Sequence, residues 1–122
     1  MKIMVVDDLE FMRSLIKDIL ESAGHTVIGE AGNGRDALLL SKVWKPDLIV
    51  MDITMPRMNG LEALKKIKNT NNRLPVVMCS SLGDYDKILE AIRYGADDYV
   101  VKPFKKERLL TAVRKAGERY GL

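Results

Sequence analysis

Short apolar segments alternate with longer amphipathic segments along the whole chain, and this alternation restricts the fold more than any other feature. The short segments are rich in β-branched residues, which is typical of strands, and they cover residues 2–7, 26–30, 47–52, 75–79 and 98–101. Three of them are almost continuously apolar, as expected for strands buried on both faces. The sequence therefore predicts a parallel sheet that is covered by helices on both sides.

A helical pattern follows each predicted strand. After the first strand, apolar residues recur on one helix face until the pattern ends at Gly24. Further helices are predicted at about 34–44, 60–68, 84–94 and 105–119. Because helical crossovers connect parallel strands in right-handed βαβ units, we expect an α/β fold with three layers, α/β/α. Residues 1–122 are predicted to form one domain.

The composition narrows the class of protein. A chain of 122 residues can bury a sufficient core without disulfide bonds, and its single cysteine, Cys79, excludes an internal disulfide. Because it has no secretion signal and no apolar run of ~18 to 20 residues, we expect a soluble, cytoplasmic protein without membrane insertion. The net charge of +3 includes a basic C-terminal end. It has no interleaved aromatic pattern and no nucleic-acid-binding motif, so we interpret it as a solvated helix face and expect no direct nucleic-acid binding.

Polar side chains follow the carboxyl ends of several predicted strands. The first strand ends at Asp7-Asp8 and the third at Asp52, whereas Ser80 follows the fourth strand and Lys102 follows the fifth. If the strand order is 2-1-3-4-5, the first, third and fourth strands are neighbours about 4.8 Å apart, and their polar residues converge. The fifth strand lies about 10 Å from the third, a gap that a lysine side chain can cover.

These residue types indicate phosphoryl transfer at a metal site. Asp7 and Asp8 alone fit a turn or a helix cap. Together with Asp52 they would raise one another's pKa unless a cation neutralised them, and Mg2+ prefers such oxygen ligands. A cation, the Lys102 ammonium and the Ser80 hydroxyl would surround a carboxylate that attacks phosphorus. We predict Asp52 as the nucleophile, and Ser80 and Lys102 as the other catalytic residues.

Four motifs together resemble the receiver domain of two-component response regulators: VVDD at 5–8, MDITMPRMNG at 51–60, CSS at 79–81 and GADDYVVKPF at 95–104. The resemblance covers essentially the whole chain and implies a flavodoxin-like, doubly wound five-stranded sheet with strand order 2-1-3-4-5. It implies that Mg2+ is bound by Asp7, Asp8, Asp52 and the backbone carbonyl of Thr54. It also implies a cis peptide bond at Lys102-Pro103.

The resemblance further implies a switch that connects the phosphorylation site with a partner surface. Ser80 would be the switch hydroxyl, and Tyr99 the aromatic side chain that moves inward as the hydroxyl approaches the phosphate. The implied partner face lies on the fourth helix, the fifth strand and the fifth helix. The residues expected on it are Ile88, Tyr99, Val101 and Lys105.

Within this family, DDLEFMR at 7–13 and CSSLG at 79–83 look like the stand-alone chemotaxis receivers, and no output domain is expected after residue 122. The implied function is phosphorylation-dependent partner binding by a monomer. The implied partners are a histidine kinase and a flagellar motor switch protein. No enzymatic activity is expected apart from self-catalysed phosphoryl transfer to Asp52 and autodephosphorylation.

Other functions fit parts of the sequence. An intermediate carrier of a phosphorelay would use the same site residues, whereas a degenerate receiver would bind partners without phosphorylation. A Mg2+ phosphatase of the haloacid dehalogenase type also has an aspartate at a strand end, but its general acid would stand where this chain has Thr54, which cannot titrate. The segment at 32–37 fits the dinucleotide fingerprint GxGxxA. Because it follows the second strand, we interpret it as a turn and a helix start.

Overall fold

The computed structural model describes residues 1–122 as a five-stranded parallel sheet between two layers of helices. The strands are β1 (Lys2–Val6), β2 (Thr26–Ala31), β3 (Leu48–Asp52), β4 (Val76–Ser81) and β5 (Asp98–Lys102). The helices are α1 (Glu10–Ser22), α2 (Gly34–Trp44), α3 (Gly60–Thr70), α4 (Tyr85–Arg93) and α5 (Lys106–Glu118). Every predicted element is present, and the strand order β2-β1-β3-β4-β5 confirms the predicted topology.

Successive residues of the central strands pack on opposite faces of the sheet, which explains why their sequences are almost continuously apolar. Met4 and Met51 pack in a cluster with α2, α3 and α4, whereas Val5 and Val50 pack in a cluster with α1 and α5. All four side chains are fully buried. Cys79 lies in the second cluster, where burial raises the pKa of its thiol to about 12. It is a core residue.

The register brings the carboxyl ends of four strands to one edge of the sheet. Val6 pairs with Met51, and Asp52 pairs with Cys79. At the end of β4, Ser81 pairs with Lys102. Because neighbouring parallel strands end together here, the polar residues that terminate them lie at the same rim.

The loop after β3 folds back tightly against the strand. The Gly60 amide donates a hydrogen bond to the Ile53 carbonyl at 2.6 Å, and a Cβ atom at residue 60 would collide with the Asp52 carbonyl oxygen. Glycine is required for this close approach. The Asn59 side chain then accepts a hydrogen bond from the Glu62 amide at 2.9 Å and caps α3. The start of α3 thus fixes the backbone around Asp52.

The segment that resembles a dinucleotide fingerprint is a helix start at the edge of the sheet, beside the outer strand β2. The Asn33 side chain accepts a hydrogen bond from the Asp36 amide at 2.9 Å and caps α2. A Cβ atom at Gly34 would collide with the Met58 carbonyl oxygen, so this glycine serves packing between two loops. None of the five helices is long and apolar enough to cross a membrane.

Candidate functional site

The three aspartates that the sequence analysis groups together meet at the carboxyl edge of the sheet. One carboxylate oxygen from each of Asp7, Asp8 and Asp52 lies within 4.8 Å of the other two. Asp7 and Asp52 are buried, whereas Asp8 is exposed at the rim. The donor set therefore contains only oxygen atoms and opens to solvent on one side, an arrangement suited to a hard divalent cation that keeps several water ligands.

The Lys102 side chain extends from β5 toward the three aspartate carboxylates. Its Nζ atom lies 2.7 Å from Oδ2 of Asp7 and 3.5 Å from Oδ2 of Asp52. The lysine is thus shared between two carboxylates and lies closer to Asp7. The peptide bond that follows it, Lys102-Pro103, is cis.

Burial and these contacts set the ionisation of the site. Burial raises the pKa of Asp52 to about 6; the Lys102 ammonium opposes this rise, and the nearby Asp7 carboxylate adds to it. Burial lowers the pKa of Lys102, but the carboxylates of Asp7 and Asp52 outweigh that effect and leave the pKa raised overall. With one ammonium among three carboxylates, the ionised site has an excess of negative charge that favours a cation.

Ser80 lies in the next strand along from Asp52. It is fully buried, and its Oγ atom has no hydrogen-bond partner. Such an unpaired buried hydroxyl costs about 1–3 kcal/mol of stability. Its position is one residue beyond Cys79, the residue that pairs with Asp52 across the two strands. The hydroxyl is therefore an unused donor near the end of the strand next to Asp52.

Thr54, whose backbone carbonyl is an expected metal ligand, follows Asp52 in the β3–α3 loop and is exposed. Its hydroxyl accepts a hydrogen bond of 3.5 Å from Lys87 Nζ on α4. The contact links α4 with the loop that carries the aspartate.

The predicted switch residue Tyr99 is half-buried on β5 and packs against the cluster that includes α3 and α4. Its carbonyl oxygen accepts a hydrogen bond of 2.6 Å from Arg108 on α5. Val101 is also half-buried, and Lys105 is exposed. Tyr99 and Val101 thus belong to the edge strand β5, and Lys105 is the N-cap residue of α5.

Ile88 does not lie on the surface as expected. It is only 6% exposed, because it is on the inner face of α4 with Ala91. The apolar residues that α4 presents to solvent are Tyr85, Leu89 and Ile92, which recur at helical spacing and are 66%, 60% and 52% exposed. These three residues form the outer apolar face of the helix, and the role of Ile88 in partner binding stays a prediction.

The sequence analysis did not single out Arg13, which also reaches the site. Its Nη1 atom donates a hydrogen bond of 2.7 Å to the backbone carbonyl of Asp7. The signal in the sequence is its place at the end of the DDLEFMR motif, in the first turn of the first helix. That position allows a long side chain to return over the end of β1.

Comparisons with known proteins agree with this arrangement. The family model of the response regulator receiver domain matches residues 3–114. The chain is 44% identical over 117 residues to chemotaxis protein CheY of Thermotoga maritima, a match that covers 96% of this chain and 98% of the relative. It is 46% identical over 114 residues to chemotaxis protein CheY of Bacillus subtilis, covering 93% and 95%. The response regulator domain of Thermotoga maritima CheB superimposes with a TM-score of 0.88 and 38% identity, covering 97% of this chain and 96% of that chain.

Proposed function

Because the chain belongs to the response regulator receiver family of two-component systems, we propose that a histidine kinase phosphorylates it on Asp52 and that the modified protein signals in chemotaxis. One observation carries the proposal. Asp7, Asp8, Asp52 and Lys102 lie together at one edge of the sheet, and the unpaired hydroxyl of Ser80 lies near the end of the neighbouring strand β4. These groups can accept a phosphoryl group and stabilise it, which an ordinary cluster of surface carboxylates could not do.

The proposed step transfers the phosphoryl group from a phosphohistidine. The phosphorus–nitrogen bond breaks while a carboxylate oxygen of Asp52 forms a bond to phosphorus, and the departing imidazole takes up a proton. With a pKa of about 6, Asp52 is mostly ionised at neutral pH and can attack. The Lys102 ammonium is already 3.5 Å from Asp52 and can pair with the new phosphoryl oxygens. The Ser80 hydroxyl can donate a hydrogen bond to another of them.

The donor set fits Mg2+, and we propose Asp7, Asp8, Asp52 and the backbone carbonyl of Thr54 as its ligands. When bound, the ion would offset charge on the transferring phosphoryl group. In the present structure the Lys102 ammonium donates a hydrogen bond to Oδ2 of Asp7. A turn of this side chain from Asp7 toward the modified Asp52 would free the Asp7 oxygen for a cation. The signal ends when water attacks phosphorus, and inorganic phosphate and the Asp52 carboxylate are released.

The proposed output is a change at the face formed by α4, β5 and α5. The doubly charged group on Asp52 attracts Ser80, and Tyr99 moves into the space that is left. We propose Ile88, Tyr99, Val101 and Lys105 as residues of this face, and we add the exposed α4 residues Tyr85, Leu89 and Ile92 as its apolar part.

The proposed partner of this face is a flagellar motor switch protein. Several relatives of similar length are chemotaxis proteins, and this favours chemotaxis over a carrier role in a phosphorelay. We propose that residues 1–122 act as one domain and as a monomer in the cytoplasm, without binding nucleic acid.

The proposal is tested by incubating the protein with acetyl phosphate and Mg2+ and measuring its intact mass under mild conditions. Wild type should gain one labile phosphoryl group, and Asp52→Asn should gain none. A phosphatase of the haloacid dehalogenase type would instead hydrolyse many phosphate esters catalytically, and a degenerate receiver would gain no mass. Equal labelling of wild type and Asp52→Asn would refute the assignment of the acceptor.

Lys102→Ala separates modification from signalling. The variant should fold, but its phosphorylated form should not bind the motor partner more tightly than its unmodified form, because the phosphoryl group lacks the pairing ammonium. Binding is measured by calorimetry with and without a phosphate mimic. An affinity increase equal to that of wild type would contradict the role of Lys102.

A further inference from the structure

Arg13 on α1 contacts the chain at the carboxyl ends of both β1 and β2, because its guanidinium binds the residue after β1 and a residue of β2. Its Nη1 atom donates to the Asp7 carbonyl oxygen at 2.7 Å, and its Nε atom lies 3.1 Å from Oε1 of Glu30 on β2. The Arg13 side chain is 20% exposed, and that of Glu30 is 37% exposed. The arginine is therefore fixed in one orientation by two charge-assisted contacts.

The Asp7 carbonyl needs this donor because β1 has ended. The Asp7 amide donates the last bond of the β1–β2 ladder, to the Ala31 carbonyl at 3.1 Å. No backbone amide donates to the Asp7 carbonyl, and Arg13 takes the place of the missing strand donor. An arginine from the next helix thus continues the hydrogen bonding of β1 by one residue.

The orientation of this carbonyl also fixes the orientation of the Asp8 amide and hence the position of the Asp8 backbone. The carbonyl of Asp7 and the amide of Asp8 belong to one planar peptide group. The carboxylate of Asp8 is exposed and makes no hydrogen bond or ion pair with another side chain. The backbone therefore sets only where the Asp8 side chain starts, whereas the Asp7 carboxylate is held directly by Lys102 and by the Leu9 amide.

We propose that Arg13 is a positioning residue for the metal site and that it orients the Asp7–Asp8 peptide so that Asp8 is in place before a cation arrives. This inference rests on the proposed metal site. At the site Arg13 contacts only the backbone oxygen of Asp7 and occupies none of the three aspartate carboxylates. Glu30 neutralises its charge, so the arginine does not repel a cation. A planar guanidinium can donate hydrogen bonds to the Asp7 carbonyl and to Glu30 at once in fixed directions, whereas an ammonium has no such fixed geometry.

The test is the affinity of the unphosphorylated full chain for Mg2+, measured by isothermal titration calorimetry. Arg13→Ala should weaken Mg2+ binding about tenfold, as is typical when an outer-shell partner of a metal ligand is removed. Arg13→Lys should restore part of the affinity, and Glu30→Gln should weaken it less than Arg13→Ala. Arg114→Ala is the matched control, because Arg114 forms a comparable ion pair with Glu118 on α5. It should bind as wild type does.

A second readout needs no metal. In the metal-free protein, the Asp8 amide should shift in the proton–nitrogen correlation spectrum and exchange faster in Arg13→Ala than in Arg114→Ala. If Arg13→Ala lowers the melting temperature but binds Mg2+ as tightly as wild type, the arginine is merely structural and the inference is wrong. If Arg13→Ala does not fold, Arg13→Lys and Glu30→Gln carry the same comparison.

Failure of the metal site itself is recognised separately. If wild type binds no Mg2+, both the proposed metal site and the inference about Arg13 are wrong. Suppose instead that wild type binds Mg2+, that Asp8→Asn binds it weakly, and that Arg13→Ala binds it as tightly as wild type does. In that case the metal site stands and only the inference about Arg13 is wrong.

Discussion

Two buried carboxylates lie at opposite ends of the sheet and differ in how fully they are paired. At the amino end, the Asp97 side chain is 2% exposed. Its Oδ2 atom accepts hydrogen bonds from Lys68 Nζ and the Val76 amide, each at 2.8 Å, and its Oδ1 atom accepts one from the Tyr120 hydroxyl at 2.7 Å. This carboxylate is saturated with donors.

At the carboxyl end, Asp52 is nearly as buried but poorly paired. Its nearest cation is Lys102 at 3.5 Å, which is closer to Asp7, and the neighbouring Ser80 hydroxyl has no partner. Burial raises its pKa to about 6. The difference teaches that burial alone does not indicate reactivity. A saturated carboxylate ties elements together, whereas an unsaturated one keeps capacity for a phosphoryl group and a cation.

The largest loss of stability is expected for a substitution of Asp97, at the amino end of the sheet. Asp97→Ala should lower the free energy of unfolding by about 3–5 kcal/mol, because it leaves the Lys68 ammonium buried without a partner and the Val76 amide without an acceptor. Urea unfolding monitored by circular dichroism gives this number. Asp52→Ala is the matched substitution at the other end and should not destabilise the metal-free protein. Similar losses for both would break the comparison.

A smaller and pH-dependent effect is expected for Asp52→Asn in the presence of EDTA. Since the pKa of Asp52 is raised from 3.8 to about 6 in the folded state, ionisation of this group opposes folding. The penalty is small at pH 4 and below, grows between about pH 4 and pH 6 and is complete near pH 7. At pH 7.5 the variant should therefore be about 1–3 kcal/mol more stable than wild type, a range reduced by solvent at the rim.

This prediction is checked by urea unfolding of both proteins at pH 4 and pH 7.5. The stability difference should nearly vanish at the lower pH. A difference of the same size at both pH values would mean that the charge of Asp52 is not the cause.

The smallest effect is expected for Tyr120→Phe. It removes one of the donors to Asp97 and should lower the free energy of unfolding by about 1 kcal/mol. The ring remains in place beneath the Lys68 ammonium, which lies 5.5 Å from its centre. Phosphorylation and Mg2+ binding should not change. A loss as large as that of Asp97→Ala would show that Tyr120, rather than the carboxylate, holds this end together.

The topology and the meeting of the site residues could be predicted because both follow from strand ends. In a parallel sheet, residues that terminate neighbouring strands converge whatever the details of packing, and this placed Asp52 and Lys102 together. The Asp97 network depends instead on where α3 and the C-terminal residues pack, which no local pattern specifies. The rotation of α4 could not be predicted, because the resemblance implied only that this helix belongs to the partner face; the structure buries Ile88 and exposes Leu89. Arg13 was missed because a side chain that bonds a backbone carbonyl leaves no residue pattern.

The most direct test of the account is to locate the phosphoryl group. Wild type is treated with acetyl phosphate and Mg2+, the acyl phosphate is reduced with borohydride, and the peptides are sequenced by mass spectrometry. The account predicts homoserine at position 52 alone, only when the donor and the metal are both present. Homoserine at Asp7, Asp8 or the saturated Asp97, with position 52 unmodified, would contradict it.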